Sequence, residues 1–450
     1  MPRPASLLPV LAALLAGCGS ADPIADLEDV VPPDCQLDAD CGDGEACWIN
    51  PIANTSSCVP ACEVDADCDG DLVCRTMFET RACVEPLEEA PPPPPERDDN
   101  PGLPQAPGDV ACADGPVNGT IDIPFQVAAG TRSTMIVPFS TDGGPVRPRS
   151  WELPDGSIVF DNGQAGFLGV TSSLLGNTAP LFLPQSPILE ELLVPGTHVY
   201  SVDADTDQLC AYIVSEDATV GTELDLNLHF VGLGDLDAAS AAGDDDLLLA
   251  LQTLDEIYAD AGITVGNIRV NDAPAAVADE FAIIDERAQL DALMATSEPP
   301  GPSDDELLSV NVFLVAAIDI ENSGVIGISQ GLPGPAGLHG STGSGVVLTS
   351  EFLRLGSANN PALGAELTGV VMAHEIGHWL GLFHTSELAG GVQDPIQDTP
   401  GCDGIAQLLD AGNLGACPDV DNLMFPVASA TARTLTPQQG GVLVANPVTR

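Results

Sequence analysis

Lysine is missing from this sequence altogether, and 12 arginines face 67 aspartates and glutamates, a formal charge of −55 over 450 residues. A nucleic-acid binder carries a basic patch, and there is no material here to build one. Anionic lipid finds no basic cluster either. No run of 18 apolar residues follows the N-terminus, so no transmembrane helix is expected. Histidine is scarce, six in all, which gives weight to any place where several gather. What is present is apolar material. Hydrophobic residues make up 44% of the chain, enough for a sizeable core and too much for a disordered acidic tail. The length leaves room for two to four domains at about 100–200 residues each.

The 13 cysteines are an odd number, and one stands apart. Residues 1–4 carry one arginine, residues 5–15 form an apolar run of signal length, and Leu15-Ala16-Gly17-Cys18 closes it. This resembles a bacterial lipoprotein signal, which is cleaved before its cysteine. Cys18 then carries the lipid, residues 1–17 are removed, and residues 18–34 form a tether. By the same resemblance, Gly19 in place of Asp points to the outer membrane. The expected location is the bacterial cell envelope, with membrane contact only through the lipid. An ordinary secretory signal with a chance cysteine is the alternative. The other cysteines are even in number, as the paired cysteines of an exported chain should be.

Cys35, Cys41, Cys47 and Cys58 return as Cys62, Cys68, Cys74 and Cys83, and Cys35-Gln-Leu-Asp-Ala-Asp-Cys41 returns as Cys62-Glu-Val-Asp-Ala-Asp-Cys68. Residues 35–85 therefore read as a duplicated cysteine-rich module. Each copy is too short to bury a core, so two disulfides per copy are expected, with the pairing left open. A zinc–thiolate cluster is the alternative, but the five-residue spacing and the absence of His argue against it. Calcium on Asp38, Asp40, Asp65 and Asp67 has a weak signal. Residues 86–109 contain Pro91 through Pro95 and read as an extended, semi-rigid linker. Residues 110–221 show short apolar runs at 121–127, 134–139, 157–160, 197–202 and 209–214, with a turn at Pro154-Asp155-Gly156. That pattern predicts a β-sandwich-like domain. Cys112 and Cys210 are its two cysteines and are expected to bridge its first and last strands. His198 has no partner spacing and reads as structural.

Half of the chain's histidines lie in eleven residues: His374-Glu375-Ile376-Gly377-His378-Trp379-Leu380-Gly381-Leu382-Phe383-His384. His374 and His378 are four apart, so a helix puts them on one face where both can clasp one ion. Leu363, Leu367, Val370 and Val371 are spaced as the buried stripe of that helix. Gly381 can end it in a left-handed conformation. The chain then turns, and His384 can reach the same ion. Three protein ligands leave a position open, as a catalytic zinc requires, and water there is acidified to a pKa of about 7. Glu375 is placed to take the proton and give it to the leaving amine.

The motif is that of the metzincins. Its wording, followed by Asp398-Thr399-Pro400, Cys402, Cys417, Asn422-Leu423-Met424 and Thr436-Pro437-Gln438-Gln439, resembles the pappalysin family, the relatives of pregnancy-associated plasma protein-A. The resemblance runs from about residue 222 to the end and implies several things. Residues 222–450 would be an α+β metzincin-like zinc peptidase domain, a twisted mixed sheet plus an active-site helix. Met424 would be the Met-turn under the three histidines. Residues 324–329 would be the edge strand that pairs with an extended substrate, with 346–349 beside it. A Cys402–Cys417 disulfide would staple the loop near the floor of the site. Calcium is a further candidate in residues 385–423, which hold six Asp, one Glu and no cation; the alternative is a solvated acidic loop.

Other segments fit around this frame. Leu224, Leu226, Leu228 and Phe230 alternate with Asp225, Asn227 and His229, which predicts a half-buried strand with His229 in solvent. Residues 244–261 read as a helix with acids in its first turn; 263–270 and 310–318 read as strands. His339, in a Gly-rich loop, reads as a solvated loop histidine, with a place in the cleft as the alternative. One position departs from the family: Phe425-Pro426 follows Met424 where a tyrosine is usual. The expectation is thus a multidomain, envelope-anchored zinc endopeptidase acting on protein or peptide. The alternative is a surface lipoprotein that binds through a retained zinc site with little or no turnover. A closed structural zinc site is weaker, since such sites are Cys-rich.

Overall fold

The computed structural model describes residues 108–450 apart from short gaps, the longest at 162–176, and several stretches within 45–84. The signal, Cys18, the tether, Cys35, Cys41 and residues 86–107 of the linker lie outside the described residues.

The duplicated module yields two antiparallel hairpins, β1 (Glu45–Asn50) with β2 (Thr55–Pro60), and β3 (Val73–Met77) with β4 (Thr80–Val84). Cys47 stands opposite Cys58, and Cys74 opposite Cys83, so the repeat in sequence is a repeat of hairpins. Cys83 bonds not to its cross-strand neighbour but to Cys68. Cys58 and Cys62 are disulfide-bonded as well. Sulfurs used this way hold no metal, and two-stranded ribbons need such staples because alone they are marginal.

Two four-stranded antiparallel sheets follow. One runs β10 (Leu181–Leu183), β7 (Ser133–Ser140), β12 (Gln208–Glu216), β5 (Asp109–Asp114); the other runs β6 (Thr120–Val127), β11 (Gly196–Ala204), β8 (Val146–Glu152), β9 (Ile158–Asp161). Ile121, Ile123, Phe125 and Trp151 of the second sheet meet Ile136, Leu181, Leu209 and Ile213 of the first in a shared core. The outer face of the first sheet is not in water. Met135, Val137, Phe139 and Tyr212 pack into the core of the C-terminal half. Covered on both faces, β7 is buried at every position, and its run Met135-Ile136-Val137 is continuous rather than alternating. Cys112 and Cys210 face each other in register on β5 and β12 and are bonded. His198 is buried, accepts from Trp151 Nε1 at 3.0 Å and donates Nε2–H to Val194 O at 2.8 Å, a structural arrangement.

The C-terminal half is built on a five-stranded mixed sheet in the order β14 (Thr264–Asp272), β13 (Glu223–Val231), β16 (Ser309–Val315), β19 (Gly345–Thr349), β18 (Gly327–Ser329). All neighbours are parallel except β18, which runs antiparallel to β19 and forms one edge. Helices α1 (Asp245–Ala259) and α4 (Leu363–Trp379) cover one face with Leu226, Leu228, Val312 and Leu314. Helices α2 (Ala275–Phe281) and α3 (Arg287–Met294) cover the other. A two-stranded parallel pair, β15 (Ile283–Ile284) with β17 (Ala317–Ile318), lies beside them, so the expected 310–318 strand is broken at Ala316. Two short helices close the chain, α5 (Ile405–Asp410) and α6 (Pro437–Ala445).

Two histidines sit differently from their expected places. Strand β13 is central and covered on both faces, so its polar side is not solvated: Asp225 and Asn227 are buried. His229 is partly buried, stacks on Phe313 with ring centroids 4.6 Å apart and shares Asn311 with Asn227. His339 is buried rather than solvated. Its Nε2–H donates to Leu307 O at 2.9 Å, and Nδ1 accepts from Asn311 Nδ2 at 3.0 Å. Burial pushes its pKa down to about 4, so the ring is a neutral link in a polar layer. It lines no part of the cleft described below.

Candidate metal centre and cleft

Helix α4 is buried along nearly its whole length, wedged between the sheet and α1. Tyr258 of α1 fastens it, donating its hydroxyl proton to Ala373 O at 2.8 Å. The helix ends at Trp379, and Gly381 follows at φ +110°, a conformation that costs a side chain dearly. The amide of Leu382 then returns to Gly377 O at 2.9 Å. This reversal carries His384 back beside the helix.

The three histidines meet there. His374, His378 and His384 are each buried, and their ring nitrogens lie within 4.8 Å of one another. Each Nδ1 is tied to an oxygen: His374 to Leu423 O at 2.6 Å, His378 to Leu382 O at 2.7 Å, His384 to Glu387 Oε1 at 3.2 Å. A carbonyl or carboxylate oxygen can only accept, so each Nδ1 carries the proton and each Nε2 presents a lone pair. Nε2 of His378 and Nε2 of His384 are 3.1 Å apart. Two bare lone pairs at that separation repel unless a cation lies between them. Burial, reinforced by the neighbouring His384, pushes the pKa of His374 down to about 3, and His378 is pushed well below its ordinary value for the same reasons. With His374 and His378 held neutral and all three rings fixed through Nδ1 and converging, the set suits a borderline-soft divalent ion such as zinc.

Met424 lies beneath the set. It is fully buried, and a Cβ on Gly377 would stand 2.9 Å from its sulfur, so the glycine is what lets the turn approach the helix. Asn422 holds that turn from both ends. Its Oδ1 accepts from Met424 N at 2.9 Å and from Gln439 Nε2 at 3.1 Å, and its Nδ2 donates to Gln439 Oε1 at 2.8 Å. Gln439 is in turn the third residue of the capping box that Thr436 opens on α6. Thr385, next to His384, donates its amide to Met424 O at 3.1 Å.

Glu375 is buried beside His374 and faces the edge strand. A Cβ on Gly327 would lie 2.7 Å from its Cγ and 2.8 Å from its Oε1. Glu375, His374, the segment from Gly324 to Gly327 and the segment after Met424 line a cleft of about 440 Å³ including its open mouth. Phe425 lines this cleft and is buried, with no hydroxyl to offer. None of the chain's three tyrosines replaces it, because Tyr200, Tyr212 and Tyr258 are all buried elsewhere.

Behind the site, Cys402 and Cys417 are bonded and pack with Ile405, Phe425 and Val427. Asp419 Oδ2 accepts from Thr385 Oγ1 at 2.7 Å and Ser386 Oγ at 3.0 Å. Its Oδ1 is buried, as are Asp394 Oδ2 and Asp398 Oδ1, and all three lack a hydrogen-bond partner among the described residues. Burial, with Asp398 and Asp419 nearby, pushes the pKa of Asp394 up to about 7. The sequence reading marked this acidic loop without choosing among its carboxylates. It also missed Glu387 as the partner of His384, although only Thr385 and Ser386 separate them, and Gly327 as the neighbour of Glu375, which no spacing could reveal.

No family model matches the sequence, and no curated protein matches it. Among solved structures, the chain is similar to metalloproteinase-II from Bacteroides fragilis, with 13% identity over 50% of this chain and 54% of that one at a TM-score of 0.27. It is also similar to archaemetzincin from Methanopyrus kandleri, with 17% identity over 44% of this chain and 99% of that one at a TM-score of 0.25. The chain spans about half the length of the Bacteroides protein.

Proposed function

We propose that this protein is a zinc-dependent endopeptidase. The observation that carries the reading is the convergence of three Nε2 lone pairs, each Nδ1 fixed by an oxygen, beside a buried carboxylate that opens onto a cleft. His374, His378 and His384 would hold the ion. When bound, it supplies a Lewis acid that lowers the pKa of water to about 7 and polarises a carbonyl. Glu375 acts as general base, holding the proton taken from water and delivering it to the nitrogen that leaves. Strand β18 is an edge, so its outer backbone groups are available to an extended peptide, which would present its scissile bond to Glu375. Met424 and the Asn422–Gln439 pair keep the histidines in place.

Calcium is proposed for the loop behind the site, where Asp394, Asp398 and Asp419 each bury a carboxylate oxygen without a hydrogen-bond partner among the described residues. Hard cations take such oxygens, and buried carboxylates without partners otherwise stay protonated or cost stability. Lipid attachment at Cys18, and with it a place in the cell envelope, rests on the sequence motif alone.

Phe425 favours a second reading, a surface protein that binds through its zinc site with little turnover. The purified full-length chain separates the two. Zinc content is measured first, then cleavage of a proteome-derived peptide mixture before and after chelation. One zinc per chain with cleavage that chelator removes and zinc restores supports the peptidase. One zinc with no cleavage supports the binding protein, and absence of zinc binding overturns both.

A further inference from the structure

We infer that Phe182, which belongs to the sandwich and not to the C-terminal half, is a positioning residue for His384, so that the geometry of the metal site depends on the sandwich. This rests on the metal-binding part of the peptidase reading. Strand β10 has three residues. Leu181 and Leu183 enter the sandwich's own core, while Phe182 between them faces the other way and is fully buried in the core of the C-terminal half. Alternate residues of a strand point to opposite faces, so one ring from this strand crosses over. It meets the turn that follows the active-site helix. The atoms nearest to the place a Cβ on Gly381 would take are Phe182 Cδ1 at 3.6 Å, Val442 Cγ1 at 3.8 Å and Phe182 Cε1 at 4.0 Å. The bare face of the turn is thus closed by one ring from the sandwich and one side chain from α6.

Two of the three histidines stand on α4 and move with it, but His384 lies beyond the turn. Hydrogen bonds fix the inner side of that turn: Gly381 N donates to His378 O at 2.9 Å, and Leu382 O accepts from His378 Nδ1 at 2.7 Å. Asn446 Nδ2 donates to Leu380 O at 2.8 Å. Whether the turn can swing outward is decided by what packs against its other side, because a gap there forfeits contacts that nothing replaces. An outward swing would draw His384 away from His378 and open the ligand set. The same stretch of the sandwich braces the end of α4 a second time. Asn177 Oδ1 accepts from Thr342 N and Thr342 Oγ1, each at 3.4 Å, and Gly343 O, next in the chain, accepts from Trp379 Nε1 at 3.1 Å. Residues 177–182 therefore hold the helix end and the turn together.

The test uses the full-length protein and the metal alone, without substrate. Phe182→Leu is compared with Phe139→Leu, a matched substitution in the same core. Phe139 stacks on Tyr212 with ring centroids 5.0 Å apart and is not among the atoms nearest Gly381. Zinc affinity is measured by competition with a chromophoric chelator, and Tm of the metal-free protein on the same preparations. The visible spectrum with cobalt(II) in place of zinc reports the geometry of the ligand set. Phe182→Leu should weaken zinc binding by about tenfold or more, the lower end of the range for groups that hold a metal ligand in place, and should change the cobalt spectrum. Phe139→Leu should lower Tm by a similar amount and leave zinc affinity and cobalt spectrum as in wild type. Equal weakening of zinc by both variants, or weakening by neither, makes Phe182 a core residue only; it overturns the inference and leaves the metal site standing. If Phe182→Leu does not fold, Phe182→Met, which fills more of the ring's volume, is read against the same control. A wild type that binds no zinc overturns the metal reading and this inference with it.

Discussion

Gly327 sets how closely the edge strand can approach Glu375, because a single added carbon would collide with the carboxylate stem and with Val371 Cγ1 at 2.8 Å. Both neighbours sit on a helix that is packed on every side, so neither can retreat far. Gly327→Ala should leave zinc content unchanged and lower kcat/KM by about 10–100-fold, the scale of a misplaced catalytic group. Steady-state kinetics with a zinc assay on the same preparation checks this; activity equal to wild type would show that the contact is slack. At this scale the sequence was legible where chemistry is concentrated. Three of six histidines in eleven residues, with a glutamate between the first two, specify their own spacing on a helix. His229 and His339 were not legible. His229 meets Asn311 and Phe313 of β16, and His339 meets Asn311 and Leu307, partners distant in sequence that no local alternation or loop composition reveals.

Helix α6 begins with a capping box whose Gln439 also grips Asn422, so the helix start and the turn bearing Met424 form one hydrogen-bonded unit. Thr436→Ala removes the acceptor for Gln439 N and should cost about 1 kcal/mol of stability. Urea unfolding should show a lower midpoint at unchanged slope, and an unchanged midpoint would mean the cap is dispensable. Elements with a long pattern and clear ends were readable: α1 with its acidic first turn and α4 with its glycine stop. Short α2 and α3 were not, since 7 and 8 residues give too few turns for a stripe to stand out. Strand β8 was missed because it holds no apolar run: Arg147 and Arg149 alternate with Val146 and Pro148, and a proline in a strand reads against one, although Val146, Pro148 and Trp151 are buried.

The whole molecule is strongly anionic, and its acids gather without counter-charge in the loop behind the metal centre. Asp394 gives this a pH signature. Its folded pKa is raised to about 7, above the ordinary carboxylate value, so the folded form holds its proton longer than the unfolded chain. In the absence of calcium, the stability from this group is fully present below about pH 4 and is lost as pH rises toward 7. Calcium binds the ionised form, so it should raise Tm clearly at pH 8 and little at pH 5. Thermal melts with and without calcium at the two values check this, and an equal shift at both would remove Asp394 from the ligand set. The composition made the acidity plain but could not show which oxygens are buried.

At the same scale lies the claim on which the rest depends, that His374, His378 and His384 hold a zinc and Glu375 works the proton beside it. The most direct measurement compares wild type with Glu375→Gln for zinc per chain and for peptide hydrolysis under identical conditions. One zinc is expected in each, and hydrolysis in the wild type should fall by at least about 100-fold in the variant, within the range attributed to general acid–base catalysis. Hydrolysis by Glu375→Gln at the wild-type rate would contradict it.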